Sequence, residues 1–224
     1  MLVGETKRKS LGALARALLG KKFHSFARYY RAVFVDLDAV ASVLSEALPH
    51  GALVLDVGGG DGAPLNHLLT ERPDLEIAML DVASSVGGAI ETRYEAQVSR
   101  FPQTALRDYS GPRPDAVLVM DVVHHVPEHD RALFFRDLSV FVRANHVATL
   151  VIKDVAPGHV RSVMGWFADR YVSGDKNVRL VSPDSLKLHL SEAFEGKCTI
   201  TDTALRGLDP PNYCLVLRPV SQSG

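Results

Sequence analysis

The sequence predicts an α/β fold: a doubly wound, mostly parallel sheet of seven strands with a helical lid at the N-terminus. Short apolar runs alternate with stretches of helical periodicity between Leu53 and Val155, which is the pattern of consecutive β-α-β units. A glycine-rich turn follows the first of these runs. Two further runs near the C-terminus, 198–203 and 213–217, indicate an antiparallel hairpin at the sheet edge.

Length and composition are those of one α/β domain of ordinary size. The chain has 224 residues and a formal net charge of −1, and it is long enough to bury a sizeable core. It holds no apolar run of about 18 residues, so no membrane span is predicted. The two cysteines, Cys198 and Cys214, lie in predicted strands and are expected to be reduced, in a cytoplasmic protein.

The first 50 residues are predicted to be helical and basic. Helices are expected over 11–19, after a Ser10 cap, and over 25–48, ended by Pro49. Residues 1–35 hold eight basic residues and one acidic residue, which suits an amphipathic lid, a nucleic-acid arm, a surface for an acidic partner or an organellar presequence. We favour the lid, because charge runs are most often solvated faces.

The stretch Leu53–Gly62, LVLDVGGGDG, has the form of a strand followed by a nucleotide-binding turn. Glycine permits positive φ and lets the backbone approach a ligand closely. The turn fits the dinucleotide pattern GxGxxG/A, which places a pyrophosphate on a helix N-terminus. It also fits an acidic-x-Gly-x-Gly-x-Gly pattern, formed by Asp56, Gly58, Gly60 and Gly62. Because a carboxylate at the strand end suits a cation better than a pyrophosphate, we favour a ligand that carries an ammonium and a sulfonium.

Two more strands are predicted before the middle of the chain. The second strand ends in Asp81, 25 residues after Asp56, which is the distance expected when one helix separates two parallel strands. Both acids should therefore lie at the same edge of the sheet. A helix is expected over 82–101 and a short third strand over 104–106.

The loop after a predicted fourth strand, 116–120, carries the most chemistry. Residues 121–129 hold acidic residues and three histidines at the C-terminal end of a central strand, where open α/β sheets bind their ligands. A metal site is not expected, because adjacent residues point in different directions and Pro127 interrupts the helical spacing. A neutral imidazole at His124 or His125 could instead accept a proton at neutral pH.

The second half of the chain supplies the remaining elements. Helices are predicted over 130–143, 161–172 and 182–194, and a fifth strand over 147–155. The fifth strand ends in a polar pair, Lys153 and Asp154, which is unusual in so apolar a run. The helix after it contains Trp166 and Phe167.

Three stretches, in this order and spacing, resemble the Rossmann-like S-adenosylmethionine-dependent methyltransferases, and among them the small-molecule O-methyltransferases. They are the DVGGG loop with its helix, the Pro-Asp turn with the strand that ends in Asp81, and VLVMDVVHHVPEHDRALFF at Val117–Phe135. The resemblance covers about residues 53–155. It implies the strand order 3-2-1-4-5-7-6, with S-adenosylmethionine across the C-terminal ends of strands 1, 2 and 4.

The resemblance implies a set of cofactor-binding residues. In such enzymes the acid at Asp81 holds the ribose hydroxyls, an acid at Asp108 accepts from the adenine amino group, and Tyr109 would pack on the ring. The complete set is Asp56, Gly58, Gly59, Gly60, Gly62, Asp81, Val82, Asp108, Tyr109 and Asp121.

The resemblance also implies an acceptor site. His124 falls where plant-type members carry their general base, and His125 where many small methyltransferases carry a structural or substrate-contacting histidine. The early helices and the insertion after the fifth strand wall the acceptor pocket in this family. Candidate substrate contacts are therefore Tyr29, Tyr30, Lys153, Asp154, Trp166 and Phe167. Such a wall implies an aromatic or hydrophobic acceptor.

Together these features predict a cytoplasmic methyltransferase that uses S-adenosyl-L-methionine and acts on a hydroxyl or amine of a small molecule. It would be a monomer or homodimer, without a nucleic-acid or membrane partner. The alternatives are an RNA or protein methyltransferase using the basic arm, a nicotinamide oxidoreductase, which Asp56 disfavours, and a cofactor-binding protein that does not methylate. The expected domains are the lid at 1–50, the cofactor-binding domain at 51–219 and a tail at 220–224.

Overall fold

A computed structural model describes residues 37–158, 179–203 and 212–220. Its seven strands are β1 Leu53–Val57, β2 Glu76–Leu80, β3 Val98–Phe101, β4 Ala116–Met120, β5 Thr149–Val155, β6 Cys198–Thr203 and β7 Asn212–Pro219. The α-helices are α1 Leu37–Ala47, α2 Ala63–Glu71, α3 Arg131–Ala144 and α4 Pro183–Ala193. Short 3-10 helices lie at 92–97, 106–108, 123–125 and 128–130.

The strands form one sheet in the order β3-β2-β1-β4-β5-β7-β6, which confirms the predicted topology. The five strands from β3 to β5 in this order pair in parallel, and β7 pairs antiparallel with both β5 and β6. The central strands are buried over almost their whole length, as continuous apolar runs require when helices cover both faces. The C-terminal ends of β1, β2, β4 and β5 consequently meet at one edge.

Two layers of helices cover the sheet. One core cluster packs the apolar sides of α1 and α2 on a sheet face that includes Val54 and Val151. The other packs α3 and α4 on the face that includes Leu55 and Ile152. Consecutive residues of a strand point to opposite faces of the sheet. Val54 and Leu55 therefore show which face every other residue of β1 lies on, and Val151 and Ile152 do the same for β5.

The expected helix over 82–101 and the expected third strand over 104–106 are wrong. The chain instead runs without regular structure to a 3-10 turn at 92–97 and then enters β3 at Val98–Phe101. Two features exclude a helix. Gly87 adopts φ +69°, and the backbone N–H groups of Gly87 and Ala89 are used in bonds to the glycine loop rather than in helical bonds. Tertiary contacts therefore override the local sequence here.

The described part of the predicted N-terminal lid is α1, which packs on the core through Val40, Ala41 and Leu44. The basic stretch at 1–35 and the expected helix at 161–172 lie outside the described residues. No helix in the described ranges is long and apolar enough to cross a bilayer. Cys198 and Cys214 are both unbridged thiols.

The C-terminal end of α1 is tied down by one arginine. The Arg72 guanidinium donates to the backbone carbonyls of Ser45, Leu48 and Pro49 and makes a two-pronged ion pair with Asp74. Replacing Arg72 with alanine should lower the free energy of unfolding by about 2 kcal/mol, because several carbonyls lose a charged donor at once. Urea denaturation monitored by circular dichroism measures this.

Arg93→Ala is the matched control, because that guanidinium is largely exposed and pairs only with Glu91 within the described chain, apart from a stacking contact on Tyr94. Its removal should change the free energy of unfolding by at most about 0.5 kcal/mol. Equal losses for the two variants would show that the carbonyl contacts of Arg72 contribute nothing specific.

Candidate active site

The glycine loop between β1 and α2 is held against the end of β2. The backbone N–H groups of Gly58 and Gly59 both donate to the carbonyl of Leu80, at 2.7 and 3.2 Å. Gly58 has φ +76°, and Gly62, with φ +78°, is the residue that caps α2. Side chains are disfavoured at such φ values, which explains the glycines at these two positions.

Asp81, directly after β2, contacts the glycine loop through its carboxylate. Its Oδ2 accepts from the Gly60 N–H at 3.0 Å, and its Oδ1 accepts from the Ala83 N–H at 2.8 Å. The next side chain, Val82, is 76% exposed. The structure thus brings the predicted acid and the predicted glycine loop into direct contact.

A second set of hydrogen bonds, which the sequence did not predict, also holds the glycine loop in place. The N–H groups of Gly87 and Ala89 donate to the carbonyls of Gly60 and Asp61, both at 2.8 Å. Asn66 of α2, which is buried, donates to the Ala89 carbonyl and accepts from the backbone N–H two residues further on. Lone asparagines carry no sequence signal of such a role. The Gly87-Gly88 pair, which lies inside the helix predicted over 82–101, is the one turn signal from which the contact could have been found.

Asp56 lies beneath the loop and is 1% exposed. Its Oδ2 has no hydrogen-bond partner among the described residues. Burial and, secondarily, the nearby Asp81 carboxylate raise the pKa of Asp56 to about 7. A buried acid with a raised pKa and an unpartnered oxygen is unusual in a core, and groups of this kind cluster at functional sites.

Asp108 and Tyr109 follow β3 in a 3-10 turn. Asp108 is exposed. The Tyr109 ring is half-buried and makes T-shaped contacts with the rings of Phe101 and Phe141. The Tyr109 hydroxyl donates to the Pro112 carbonyl, and burial raises the pKa of this phenol. Tyr109 therefore packs beside α3 in this structure.

The two histidines after β4 lie in different environments. His124 is buried, and its Nδ1 is 2.6 Å from Oδ1 of the fully buried Asp154, while its backbone N–H contacts Oδ2 of the same carboxylate. Burial works against ionisation of Asp154, but the charge and hydrogen bond of His124 outweigh it and keep the pKa of Asp154 below its ordinary value. His125 is exposed, with its ring centroid 4.1 Å from that of His124.

Next to this pair lies a buried lysine. Lys153 is 2% exposed, and its Nζ contacts both carboxylate oxygens of Asp121 at 2.7 and 2.8 Å. Asp121 itself adopts φ +57°, a left-handed conformation that aspartate tolerates better than most residues, and its N–H donates to the Lys153 carbonyl.

Asp121, His124 and Asp154 place ligand-type atoms within 4.8 Å of one another. Each of them already contacts a group of this chain: Asp121 contacts Lys153, and His124 contacts Asp154. The cluster is therefore arranged as two side-chain pairs, Lys153 with Asp121 and His124 with Asp154.

Arg131 at the start of α3 fixes the histidine loop. Its guanidinium donates to the carbonyls of Val126 and Arg179. The Arg179 N–H in turn donates to the His124 carbonyl at 2.9 Å. The chain therefore returns to the histidines at residue 179, and the substrate candidates between 158 and 179, Trp166 and Phe167, lie outside the described residues together with Tyr29 and Tyr30.

A family model described as "O-methyltransferase domain" matches residues 37–162, more than half of the chain. The chain belongs to the O-methyltransferase domain family. Its fold is that of the class I S-adenosylmethionine-dependent methyltransferases, as the motifs predicted. No curated protein matches the chain by sequence.

Solved structures of several methyltransferases are similar to this chain in fold. Human N-acetylserotonin methyltransferase, in complex with S-adenosylmethionine, aligns with a TM-score of 0.66 and 14% identity, over 98% of this chain and 61% of its own. The S-adenosylmethionine-dependent methyltransferase SibL aligns with a TM-score of 0.71 and 17% identity, over 97% and 64%. An O-methyltransferase family protein from Burkholderia thailandensis gives 0.62 and 17%, over 91% and 63%. This O-methyltransferase-family chain thus spans about three fifths of the length of these structures.

Proposed function

We propose that this family member transfers the methyl group of S-adenosylmethionine to a hydroxyl, or an amine, of a small aromatic or hydrophobic molecule. One observation carries the proposal: the buried His124–Asp154 pair lies at the same edge of the sheet as the glycine loop and Asp81. A nucleotide loop and a proton acceptor on one edge are the two parts that methyl transfer to a hydroxyl requires.

The residues of the glycine loop fit the cofactor better than they fit a dinucleotide. Two carboxylates, Asp56 and Asp81, lie at the loop, and the Gly60 N–H is already used by Asp81. This surrounding would repel a pyrophosphate and attract a sulfonium or ammonium. The orphaned, buried Oδ2 of Asp56 is the observation that supports a cationic group here.

In this proposal the loop residues Asp56, Gly58–Gly60 and Gly62 hold the amino-acid part of the cofactor. Asp81 with the exposed Val82 holds the nucleoside, and Asp108 and Tyr109 extend that side. S-adenosylmethionine supplies a methyl group already activated on a sulfonium. The protein therefore needs mainly to align the acceptor, exclude water and remove one proton.

His124 is proposed as the proton acceptor, and Asp154 as the residue that positions it. With Nδ1 held by the carboxylate, the ring is fixed in orientation and proton transfer is assigned to Nε2. The ionised Asp154 stabilises the imidazolium that forms. Lys153 keeps Asp121 in place on the cofactor side, and His125 lies exposed beside His124, where an acceptor could contact it.

The acceptor class is supported by three structures of similar fold. One neighbour was crystallised with apigenin, one from neocarzinostatin biosynthesis with naphthoic acids, and one is the mitomycin 7-O-methyltransferase. These are polycyclic molecules, most of them aromatic. Together with Trp166 and Phe167 in the sequence after β5, they favour a planar phenolic acceptor for this chain.

The first test is calorimetric titration with S-adenosylmethionine, S-adenosylhomocysteine and NADH. We expect micromolar binding of the first two and none of NADH. Asp81→Ala should weaken binding by at least about tenfold, because a charged hydrogen-bond acceptor at the loop is worth more than about 1.4 kcal/mol. Binding of NADH alone would exclude the methyltransferase assignment.

Asp115→Ala is the matched control for this titration. Asp115 also accepts a backbone N–H, from Leu53 at 2.9 Å, but it lies at the opposite edge of the sheet. Its removal should leave cofactor affinity unchanged. Formation of S-adenosylhomocysteine from a panel of phenols and catechols then tests the reaction, and binding without turnover on any acceptor would favour a non-methylating role.

A further inference from the structure

The most unusual group at the site is the Asp56 carboxyl. It is 1% exposed at the end of β1, and its Oδ2 has no hydrogen-bond partner among the described residues. A buried carboxylate oxygen that no donor of the described chain reaches is costly to keep ionised, because the protein does not compensate for its lost hydration. Asp56 must therefore be neutral, or must gain a cation when the site is filled.

The space around Asp56 is closed by its neighbours. A Cβ at Gly59 would lie 2.6 Å from Asp56 Oδ2 and 2.9 Å from the Met79 methyl carbon, so the glycine backbone rests directly on the carboxyl. This contact leaves no room for a side chain at position 59, so residue 59 cannot supply a side-chain donor to Asp56.

The charged groups on the adjoining elements do not supply a cation either. Asp81 at the end of β2 is the group whose charge acts on Asp56, and it has the same sign. On the other elements, the Asp61 carboxylate accepts from the N–H of Ala63, His67 of α2 contacts Asp38, and Lys153 contacts Asp121. Within the described ranges, Asp56 forms no ion pair.

We propose that Asp56 is protonated in the ligand-free protein and releases its proton when a cationic ligand binds over the glycine loop. Cofactor binding and proton release would then be one linked event. This inference rests on the proposed function for the identity of the ligand, but not for the protonation of Asp56. The raised pKa of Asp56, about 7, places the exchange in the physiological range.

The proton on Asp56 should make both cofactor affinity and protein stability depend on pH. Below pH 7 the proton must be displaced, so cofactor affinity should fall about tenfold per pH unit. Above pH 7 Asp56 no longer lowers the affinity, and any further change follows the α-amino group of the ligand, whose pKa is about 8. In the free protein the folded-state pKa lies above the unfolded value, so the folded state binds more protons between about pH 4 and 7. Stability of the ligand-free protein should therefore decrease as the pH rises through that range.

The decisive experiment is calorimetric titration of S-adenosylmethionine at pH 6 in buffers of different ionisation enthalpy, whose slope counts the protons released. We expect close to one proton from Asp56 at pH 6 and none at pH 9. Asp56→Asn should release none at either pH. Binding of S-adenosylmethionine at pH 6 without proton release would overturn the inference while leaving the proposed function intact.

Two further samples test whether the released proton comes from Asp56 and whether its release requires a positive charge on the ligand. The neutral thioether 5'-methylthioadenosine should bind without releasing a proton, since it carries no cation, and release with this probe would contradict the inference. Asp81→Asn removes the like charge beside Asp56, so the release at pH 6 should become smaller. An unchanged release in Asp81→Asn would likewise count against it.

A readout without ligand separates the two possible failures. The infrared carboxylic-acid band at pH 6, obtained as the difference between the wild type and Asp56→Asn, should be present and should vanish by pH 9. If the band is present but no S-adenosylmethionine binds, the proposed function fails and the linkage with it, whereas a missing band shows that Asp56 is ionised and overturns the inference directly.

Discussion

Replacing His124 with glutamine should lower the turnover of methyl transfer by about a thousandfold, the usual contribution of a general base. Cofactor affinity should stay within about twofold, because the glycine loop and Asp81 make their contacts without this ring. Asp154→Asn should act in the same direction, since an amide neither fixes the reactive tautomer nor stabilises the imidazolium. Single-turnover assays on the best acceptor measure the chemical step.

The pH profile distinguishes a base from a structural residue. Turnover of the wild type should rise with pH as the imidazole loses its proton, while Asp154, whose pKa is depressed by His124, stays ionised throughout. The His124→Gln profile should be flat. His129→Gln is the control, because that side chain is 81% exposed on the same loop.

The outcome for His125 decides between the two histidines. If His125→Gln loses activity and gives a flat pH profile, while His124→Gln keeps both its activity and the rise of turnover with pH, then the exposed ring is the base. The buried pair then has a structural role. Substantial turnover in both variants would remove the loop histidines from the mechanism altogether.

Gly62→Ala should be strongly damaging for a change of a single methyl group. It forces a side chain into φ +78°, and the new Cβ would lie 2.8 Å from Ile90 Cδ1 and 2.9 Å from the Met79 methyl carbon. Backbone strain and overpacking together should lower the free energy of unfolding by about 3 kcal/mol. The displaced loop should also bind S-adenosylmethionine at least about tenfold more weakly.

Gly196→Ala separates these two causes. It imposes nearly the same backbone strain, at φ +67°, but a Cβ there meets no atom within 4 Å. Its cost should be about 1 kcal/mol, with cofactor affinity unchanged. Equal losses of stability in the two variants would show that strain alone accounts for Gly62→Ala.

The sheet could be predicted from the sequence because its central strands are continuous apolar runs with glycine or acidic residues at their ends. β4 was predicted at its observed residues, and the helix predicted over 182–194 is α4, which Ser182 caps by accepting from the Ser185 N–H. β3 could not be placed, since Val98–Phe101 has only four residues and its neighbourhood is shaped by bonds to the glycine loop. Local patterns fail where distant backbone contacts decide the conformation.

The candidate site was predictable in its parts but not in its pairings. The sequence placed Asp56, Asp81 and the histidines at one edge, because parallel strands share that edge. It could not show that Asp154 holds His124, 30 residues away in the chain. Nor could it show that Asn66 secures the glycine loop, because such contacts depend on side-chain geometry across several elements.

The last residues of β5 carry polar side chains on both faces of the sheet. Lys153 lies on the sheet side that carries Val151 and holds Asp121, while Asp154 lies on the side of Ile152 and holds His124. Two consecutive residues thus serve two different faces. The two pairs are nevertheless close, because polar atoms of Asp121, His124 and Asp154 lie within 4.8 Å of one another. In an engineering library, changes made at the two faces should therefore couple rather than add, so both faces should be varied together.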